Sequence, residues 1–161
     1  MARTKGCRLR MTDENVTIRR AAVQDAEAVA SLFDSYRQFY GQPSNPEGAR
    51  KFLADRLRHG ESTVFVAEDG GMLAGFAQLF PAFSSVSLAR TFILNDLFVA
   101  LNHRRSGVAR ALISAAVEFS RDVGAVRISL STAVTNGPAQ ALYEGAGWSK
   151  QTDYDVYVLK L

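Results

Sequence analysis

Hydrophobic and polar positions along the chain follow two different periods, and together they predict one domain of mixed α/β type. Short apolar runs and alternating stretches indicate strands, whereas apolar positions spaced by three or four residues indicate helices. The predicted order is β-α-α-β-β-β-α-β-α-β-β. The predicted strands are Val16–Arg20, Ser62–Glu68, Met72–Pro81, Phe92–Val99, Ala125–Thr132, Trp148–Gln151 and Tyr154–Leu161, and the predicted helices are Ala22–Tyr40, Asn45–His59, Gly107–Val123 and Asn136–Gly145.

Turn residues divide these elements and indicate how neighbouring strands are joined. Asp69-Gly70-Gly71 predicts a tight hairpin, because its glycines accept positive φ. Phe83–Ala89 is rich in small polar residues and is predicted to be a loop. Antiparallel hairpins combined with one β-α-β crossover predict a mixed sheet.

Length and composition narrow the class of protein. The chain has 161 residues, of which 47% are hydrophobic, and we expect a single domain over residues 15–161. Residues 1–14 carry three arginines and one lysine and are expected to form a disordered basic arm. No apolar run is long enough for a membrane span. The single cysteine, Cys7, and the lack of an apolar leader favour a cytoplasmic protein.

One stretch combines a buried strand, a short basic loop and the start of an amphipathic helix. The strand Phe92–Val99 is followed by a loop with His103, Arg104 and Arg105, and Gly107 opens the helix. Free N–H groups and the positive end of the helix dipole at such a junction bind anions. The stretch therefore predicts a phosphate site, although it is neither a Walker loop nor a dinucleotide fingerprint.

Two motifs in this part of the sequence resemble those of one known protein family. Arg104-Arg105-Ser106-Gly107-Val108-Ala109 resembles the [RQ]-x-x-G-x-[GA] pyrophosphate loop of the GCN5-related N-acetyltransferases (GNAT). Downstream, the segment from Asn136 to Trp148 resembles the family pattern N-x-x-A-x-x-[LF]-Y-x-x-x-G-[FW]. Both motifs stand in the family's order, separated by one helix and one strand. The resemblance implies the GNAT fold, in which two central strands splay apart to receive acetyl-CoA.

The resemblance also implies roles for particular residues. Tyr143 is expected to be the acid that donates to the leaving sulfur, and backbone groups of the central strand are expected to hold the pantetheine arm. The residues expected to bind coenzyme A are Leu97, Phe98, Val99, Arg104, Arg105, Ser106, Gly107, Val108, Ala109, Arg110, Asn136 and Tyr143. No metal is expected.

The general base is less clearly marked. Many relatives place a glutamate directly before the central aspartate, and here that position is Asn95, which cannot accept a proton at neutral pH. Asp96 matches the aspartate and is the candidate base, acting directly or through water. A buried structural carboxylate is an equal alternative for Asp96. His103 is expected to be solvated, and His59 is expected at a helix end.

The acceptor is expected to be an amine bound beside the first helix. Asp34, Tyr36, Tyr40 and Asn95 are the candidate substrate-binding residues, because aromatic faces and a carboxylate attract an ammonium group. Core packing of the tyrosines is the alternative. The chain looks most like the diamine and thialysine acetyltransferases and the Hpa-type protein and polyamine acetyltransferases, which implies a homodimer. The acceptor is therefore expected to be a diamine, polyamine or lysine-like small molecule, or a protein or peptide amine.

Two other functions compete with catalysis. An acyl-CoA sensor without turnover is favoured by Asn95 and disfavoured by Tyr143. Nucleic-acid binding is disfavoured, because the net charge is only +3 and no basic surface pattern interleaved with aromatic residues accompanies Arg104, Arg105 and Arg110. Neither a nucleic acid nor a membrane is expected as a partner.

Overall fold

A five-stranded mixed sheet, with its strands in chain order, forms the centre of the fold up to Leu130. The computed structural model describes residues 16–161. The strands are β1 (Val16–Arg20), β2 (Thr63–Asp69), β3 (Met72–Ser84), β4 (Ala89–Val99) and β5 (Arg127–Ser129), and the helices are α1 (Ala26–Phe39), α2 (Pro46–Arg58), α3 (Val108–Asp122) and α4 (Gly137–Gly145), with short 3₁₀ turns at Val23–Asp25 and Leu101–His103.

Strands β1 to β4 are antiparallel, and β5 runs parallel to β4. The predicted tight hairpin joins β2 to β3, and Gly70 and Gly71 adopt φ values of +55° and +86°. Residues with φ above zero at both central positions are typical of turns that follow the twist of the strands. The predicted α/β class and mixed sheet are thus confirmed.

The two faces of the sheet are covered by different helices. On one face α1 and α2 bury a cluster that includes Val29, Phe33 and Leu53 against Val66 and Phe76 of the sheet. On the other face Phe119 of α3 packs against Phe65 and Phe92, with ring centroids 5.7 and 5.6 Å apart. Aromatic contacts at this distance add to the burial of apolar area in fixing the helix on the sheet.

Local sequence signals explain where the helices begin. The Asn45 side chain accepts a hydrogen bond of 2.9 Å from Gly48 N at the start of α2, and Pro46 occupies the first turn, where it loses no helical hydrogen bond. Asn136 caps α4 in the same way, with 3.4 Å to Ala139 N, and Pro138 follows it. Gly107, with φ of +87°, precedes α3.

Two predicted segments are shorter in the structure than the sequence indicates. The loop predicted over Phe83–Ala89 is shorter, because β3 runs to Ser84 and β4 begins at Ala89, where the two residues pair directly. The strand predicted over Ala125–Thr132 is reduced to Arg127–Ser129, the part of that segment whose residues pair with β4.

The last two predicted strands, Trp148–Gln151 and Tyr154–Leu161, are wrong for the chain as described. Residues 148–161 form no strand there, although apolar and polar residues alternate. An extended segment becomes a strand only when its N–H and C=O groups pair with a neighbour. The apolar side chains of this segment are instead exposed, as in Tyr154 at 81% and Val158 at 81%.

The chain divides into two compact units, one ending at Leu130 and the other comprising Ser131–Leu161. The first holds the sheet with α1 to α3, and the second holds α4. No helix in residues 16–161 is both long and apolar enough to cross a membrane. The basic arm predicted for residues 1–14 lies outside the described residues.

Candidate active site

A β-bulge in β4 is the central feature of the site. Gln78 of β3 pairs with Asp96 of β4, but the next residue, Leu79, pairs with Leu94. Asn95 is therefore an extra residue in β4 with no partner in β3. A single extra residue reverses which side of the sheet the following side chains occupy.

The helix contacts show this reversal. Before the bulge, Phe92 packs on α3 through Phe119. After the bulge, Phe98 packs on the opposite face, with its ring centroid 6.3 Å from that of Tyr36 on α1. Strict alternation from Phe92 would have placed Phe98 beside α3. The bulge therefore directs Asp96 and Phe98 towards α1.

Asp96 is a buried carboxylate that accepts hydrogen bonds from several side chains. Its side chain is held by Gln78 Nε2 at 2.7 Å from Oδ2 and by Asn95 Nδ2 at 3.1 Å from Oδ1, and the residue is 5% exposed. Burial raises the pKa of Asp96 above the ordinary aspartate value, while hydrogen bonds from Gln78, Asn95 and Tyr36 oppose this rise. A carboxyl group with a raised pKa is suited to accept a proton during catalysis.

The C-terminal half of β4 lies beyond the end of its pairing with β5. The described pairing between the two strands stops at Ile93 and Ser129. Two carbonyl groups past this point accept from side chains: Asn95 O from the Tyr36 hydroxyl at 3.4 Å, and Val99 O from Arg104 Nε at 3.1 Å. Leu97, Phe98 and Val99 are each only partly buried.

The loop before α3 has the backbone geometry of an anion site. Arg105 and Gly107 both adopt positive φ, +63° and +87°, on either side of Ser106. Left-handed residues at such positions turn successive N–H groups towards one concave surface. The N–H groups of the first turn of α3 have no acceptor within the helix and add its positive dipole end. An added Cβ on Gly107 would meet no described atom within 4 Å, so the space before it is open.

The side chains of this loop are anchored to the sheet. Ser106 Oγ donates to His103 O at 2.6 Å, and the Arg104 guanidinium lies over the Phe98 ring, 5.7 Å from its centroid. His103 Nε2 lies 3.2 Å from Asp69 Oδ2 in the β2–β3 turn. The prediction that His103 is solvated is wrong: its side chain is 17% exposed, because the loop folds back onto that turn.

Aromatic residues from α1 lie beside the bulge. Tyr36 is half-buried, and its ring is 5.0 Å from that of Tyr40, which is 52% exposed. Phe39 continues this group 5.2 Å from Tyr40. Tyr36 therefore belongs partly to the core, as its contacts with Phe76 show, and partly to the surface next to Asn95.

Asp34 is tied into the connection between α1 and α2. Its carboxylate accepts from Ser44 Oγ at 2.7 Å, from Asn45 N at 2.8 Å and from Gln38 Nε2 at 3.0 Å, and it pairs with Arg37. The backbone donor at Asn45 and the hydroxyl of Ser44 hold the pKa of Asp34 below its ordinary value. The structure thus places this carboxylate in a network within its own helix and loop.

The second unit presents the other motif residues on α4. The Asn136 side chain caps the helix, and Gln140 Nε2 donates to Ala133 O and Val134 O, which fixes the preceding turn. The rings of Tyr143 and Trp148 are 6.0 Å apart, and Trp148 N donates to Tyr143 O at 3.1 Å. The half-buried Tyr143 side chain is therefore packed within the motif that predicted it.

Comparison with known proteins decides the family. The model of the family described as "Acetyltransferase (GNAT) family" matches residues 29–148. The chain belongs to the GNAT family of acetyltransferases. An uncharacterized N-acetyltransferase, YhfO, of Bacillus subtilis (strain 168) is 43% identical over 146 residues, which cover 91% of this chain and 98% of the relative.

Solved structures agree with the GNAT assignment. A crystal structure of a probable acetyltransferase has a TM-score of 0.84 and 43% identity, covering 89% of this chain and 97% of that one. A ribosomal-protein-alanine N-acetyltransferase from Brucella melitensis biovar Abortus 2308 has a TM-score of 0.78 at 23% identity, covering 91% and 99% of the two chains, and shows the shared fold. The protein is therefore an acyltransferase, and its family uses acetyl-CoA.

The GNAT loop of this chain fits the pyrophosphate of coenzyme A. The concave backbone at Arg105 and Gly107 and the N-terminus of α3 offer N–H donors, and the open space before Gly107 leaves room for phosphate. Arg104, Arg105 and Arg110 add positive charge to the same segment.

Sequence reasoning missed two residues of the buried network. Gln78 is 0% exposed and Ser62 is 8% exposed, and they connect to Asp96 through side-chain hydrogen bonds. A glutamine inside the otherwise apolar run from Ala74 to Phe80 was the available signal, because a buried polar side chain needs a partner.

Proposed function

We propose that this GNAT protein transfers the acetyl group of acetyl-CoA to a primary amine by direct attack of the amine on the thioester. The observation that carries the proposal is the buried Asp96 carboxylate, which the bulge directs towards the aromatic residues of α1. Burial raises the pKa of Asp96, which supports a role as proton acceptor, and the aromatic side chains beside it support binding of an organic amine.

Coenzyme A would be held by two segments of the first unit. Backbone N–H groups from Arg104 to Arg110 would bind the pyrophosphate, and the partly buried end of β4, Leu97–Val99, would bind the pantetheine arm. Asn136 would contribute from the motif on α4. Bound acetyl-CoA supplies the acetyl group as an activated thioester.

Two side chains would handle the protons. An alkylamine with a pKa of about 10.4 is mostly protonated at neutral pH, and it must lose a proton before it can attack. Asp96 would accept that proton, directly or through water. Tyr143 would donate a proton to the departing sulfur, in accordance with its place in the second motif.

The acceptor would bind along α1. Tyr36 and Tyr40 offer aromatic faces and edges, and the Asn95 side chain is exposed on the bulge beside them. The Asp34 carboxylate already accepts from Ser44, Asn45 and Gln38, so we assign it the role of fixing the α1–α2 connection. The acceptor we propose is a diamine, polyamine or lysine-like molecule, or a peptide amine.

The decisive experiment has two stages. The purified chain is titrated with acetyl-CoA, and free coenzyme A release is then followed with diamines, polyamines, lysine analogues and a basic peptide. Binding followed by amine-dependent release supports the proposal and identifies the acceptor class. Saturable binding without release over this panel would contradict a primary-amine acceptor of these classes and favour the sensor function. Absence of binding would overturn the assignment of the loop.

A homodimer and a cytoplasmic location complete the proposal. The first rests on the resemblance to dimeric relatives, and the second on the single Cys7 of the sequence. Sedimentation analysis at micromolar concentration tests the dimer, and a single species with the 17.6 kDa mass of the monomer would contradict it.

A further inference from the structure

A network of buried polar side chains connects the residue before β2 and the middle of β3 to Asp96 of β4. Ser62 Oγ donates to Gln78 Oε1 at 3.0 Å, and Gln78 Nε2 donates to Asp96 Oδ2 at 2.7 Å. The exposures of the three residues are 8%, 0% and 5%. Buried polar atoms without partners destabilise the fold. Each side chain of this network therefore stabilises the next by satisfying its hydrogen-bonding groups.

The hydrogen bonds of this network all run in one direction, from donor to acceptor, towards Asp96. An amide presents an acceptor oxygen on one side and a donor nitrogen on the other. Because the Ser62 hydroxyl donates to the oxygen of Gln78, the nitrogen of that amide faces Asp96. Cross-strand pairing of Gln78 with Asp96 next to the bulge keeps the two side chains on the same face.

We propose that Gln78 is a positioning residue for the catalytic base Asp96, and that Ser62 fixes the Gln78 amide in its donating orientation. The inference rests on the proposed role of Asp96 as the base. Gln78 anchors Oδ2 from within the sheet, while Asn95 reaches Oδ1 from the bulge. The carboxylate is thus held from both sides and keeps one orientation towards α1.

The hydrogen bond also affects the charge state of Asp96. Burial raises the pKa of Asp96, and Gln78 provides the largest of the contributions that lower it. The side chains that hydrogen-bond to this carboxylate are Gln78 from β3, Asn95 from β4 and Tyr36 from α1, and of these only Tyr36 is titratable. Loss of the Gln78 donor therefore leaves the burial effect less opposed, and Asp96 takes up a proton at higher pH.

The test compares the full-length protein with Gln78→Leu, in which an apolar side chain of similar size replaces the amide and removes the donor. The titration of Asp96 is followed by the ¹³Cγ signal of labelled aspartate, assigned by its loss in Asp96→Asn. The acid limb of kcat/KM is measured in parallel. We expect both midpoints to rise by about one pH unit, a tenfold change in proton affinity, with the acetyl-CoA Kd unchanged.

Ser62→Ala provides a milder variant should Gln78→Leu fold poorly, and we expect a smaller shift in the same direction. Ser120→Ala is the matched control, because Ser120 is a buried serine, 2% exposed, that donates to Ala116 O within α3. It should leave both midpoints in place. An Asp96 midpoint that stays constant in folded Gln78→Leu and Ser62→Ala overturns the inference. A shifted Asp96 midpoint with a constant acid limb instead overturns Asp96 as the base.

Discussion

A Cβ atom on Gly75 would lie 2.7 Å from the carbonyl oxygen of Phe98 and 3.2 Å from Val99 Cγ2. β3 and β4 therefore approach each other too closely at this point for any side chain on residue 75. The contact lies at the end of β4 that we assign to the pantetheine arm. Phe98 and Val99 therefore take part both in the packing of β3 on β4 and in the proposed cofactor site.

Gly75→Ala should destabilise the protein by about 1–3 kcal/mol, because the strands must move apart to admit the methyl group. Displacement of Phe98 and Val99 should also weaken acetyl-CoA binding. Chemical unfolding and a binding titration measure the two effects. Gly137→Ala is the control, since an added Cβ there meets nothing within 4 Å among described residues. Equal stability of the two variants would contradict the close approach.

The loop before α3 should bind the cofactor through its left-handed backbone. Gly107→Ala should weaken acetyl-CoA binding about tenfold, a free-energy change of about 1.4 kcal/mol, because alanine resists a φ of +87°. Gly107→Glu should abolish binding by adding bulk and negative charge. Isothermal titration provides the measurement.

A matched control for Gly107 lies at the other end of the same helix. Gly124 has φ of +74° and open space around its Cα. Gly124→Ala should carry a similar backbone strain and lower the stability without changing acetyl-CoA affinity. Unchanged affinity in Gly107→Glu would remove the loop from the cofactor site.

Tyr143→Phe should lower kcat by about a hundredfold or more, in the range typical of a lost general acid, and should leave the acetyl-CoA Kd unchanged. The ring and its packing on Trp148 are retained, so only the hydroxyl is tested. Tyr157→Phe, at a tyrosine that is 91% exposed, controls for loss of a hydroxyl in the same unit. A kcat within a few-fold of the unmodified protein would exclude Tyr143 as the acid.

The activity should depend on pH through Asp96. Burial raises the pKa of this carboxyl, so kcat/KM should fall as the pH drops through a value above the ordinary 3.9 or so. Asp96→Asn should lower kcat/KM by about 10²–10⁴-fold and should lose this acid limb. If the limb persists in Asp96→Asn, the carboxylate is structural and another group is the base.

Asp34 should stabilise the fold in a pH-dependent manner. Its pKa is lowered in the folded state, so its contribution is complete above the unfolded value of about 3.9 and disappears as the pH falls through the lower folded value. Asp34→Asn should therefore reduce Tm at pH 7, and the difference should shrink in acid. Asp153→Asn, at an exposed position, should show no such difference. A constant difference at all pH values would argue against the ionised network.

Elements whose signals are local could be predicted from the sequence. The start of α2 follows from the Asn45-Pro46 pair, and the hairpin follows from Gly70 and Gly71, because caps and turns depend on a few adjacent residues. The loop before α3 and the helix α4 could be located because each lies in a motif whose residue types occur at fixed spacings. The C-terminal strands were mispredicted, because alternation in Tyr154–Leu161 specifies a strand only when a partner is present.

The bulge could not be read from the sequence. Phe92, Leu94, Asp96 and Phe98 alternate regularly along β4, and nothing in that pattern reveals that the strand changes face at Asn95. The pairing of β3 with β4 determines it, and that pairing also brings Gln78 to Asp96. Candidate site residues such as Asp96 could therefore be identified from their residue type. Their partners in space, such as Gln78, depend on the pairing register of strands that are distant in sequence.

The extra residue in β4 separates two sets of packing contacts. Phe92, before the extra residue, packs on α3, whereas Phe98, after it, packs beside α1. The backbone of Asn95 pairs with no residue of β3, but its side chain donates to Asp96 Oδ1 at 3.1 Å, so a change at position 95 acts on that carboxylate and not on the strand pairing. The surroundings of the Asp96 carboxylate can therefore be altered at this single position while β3 and β4 keep their register.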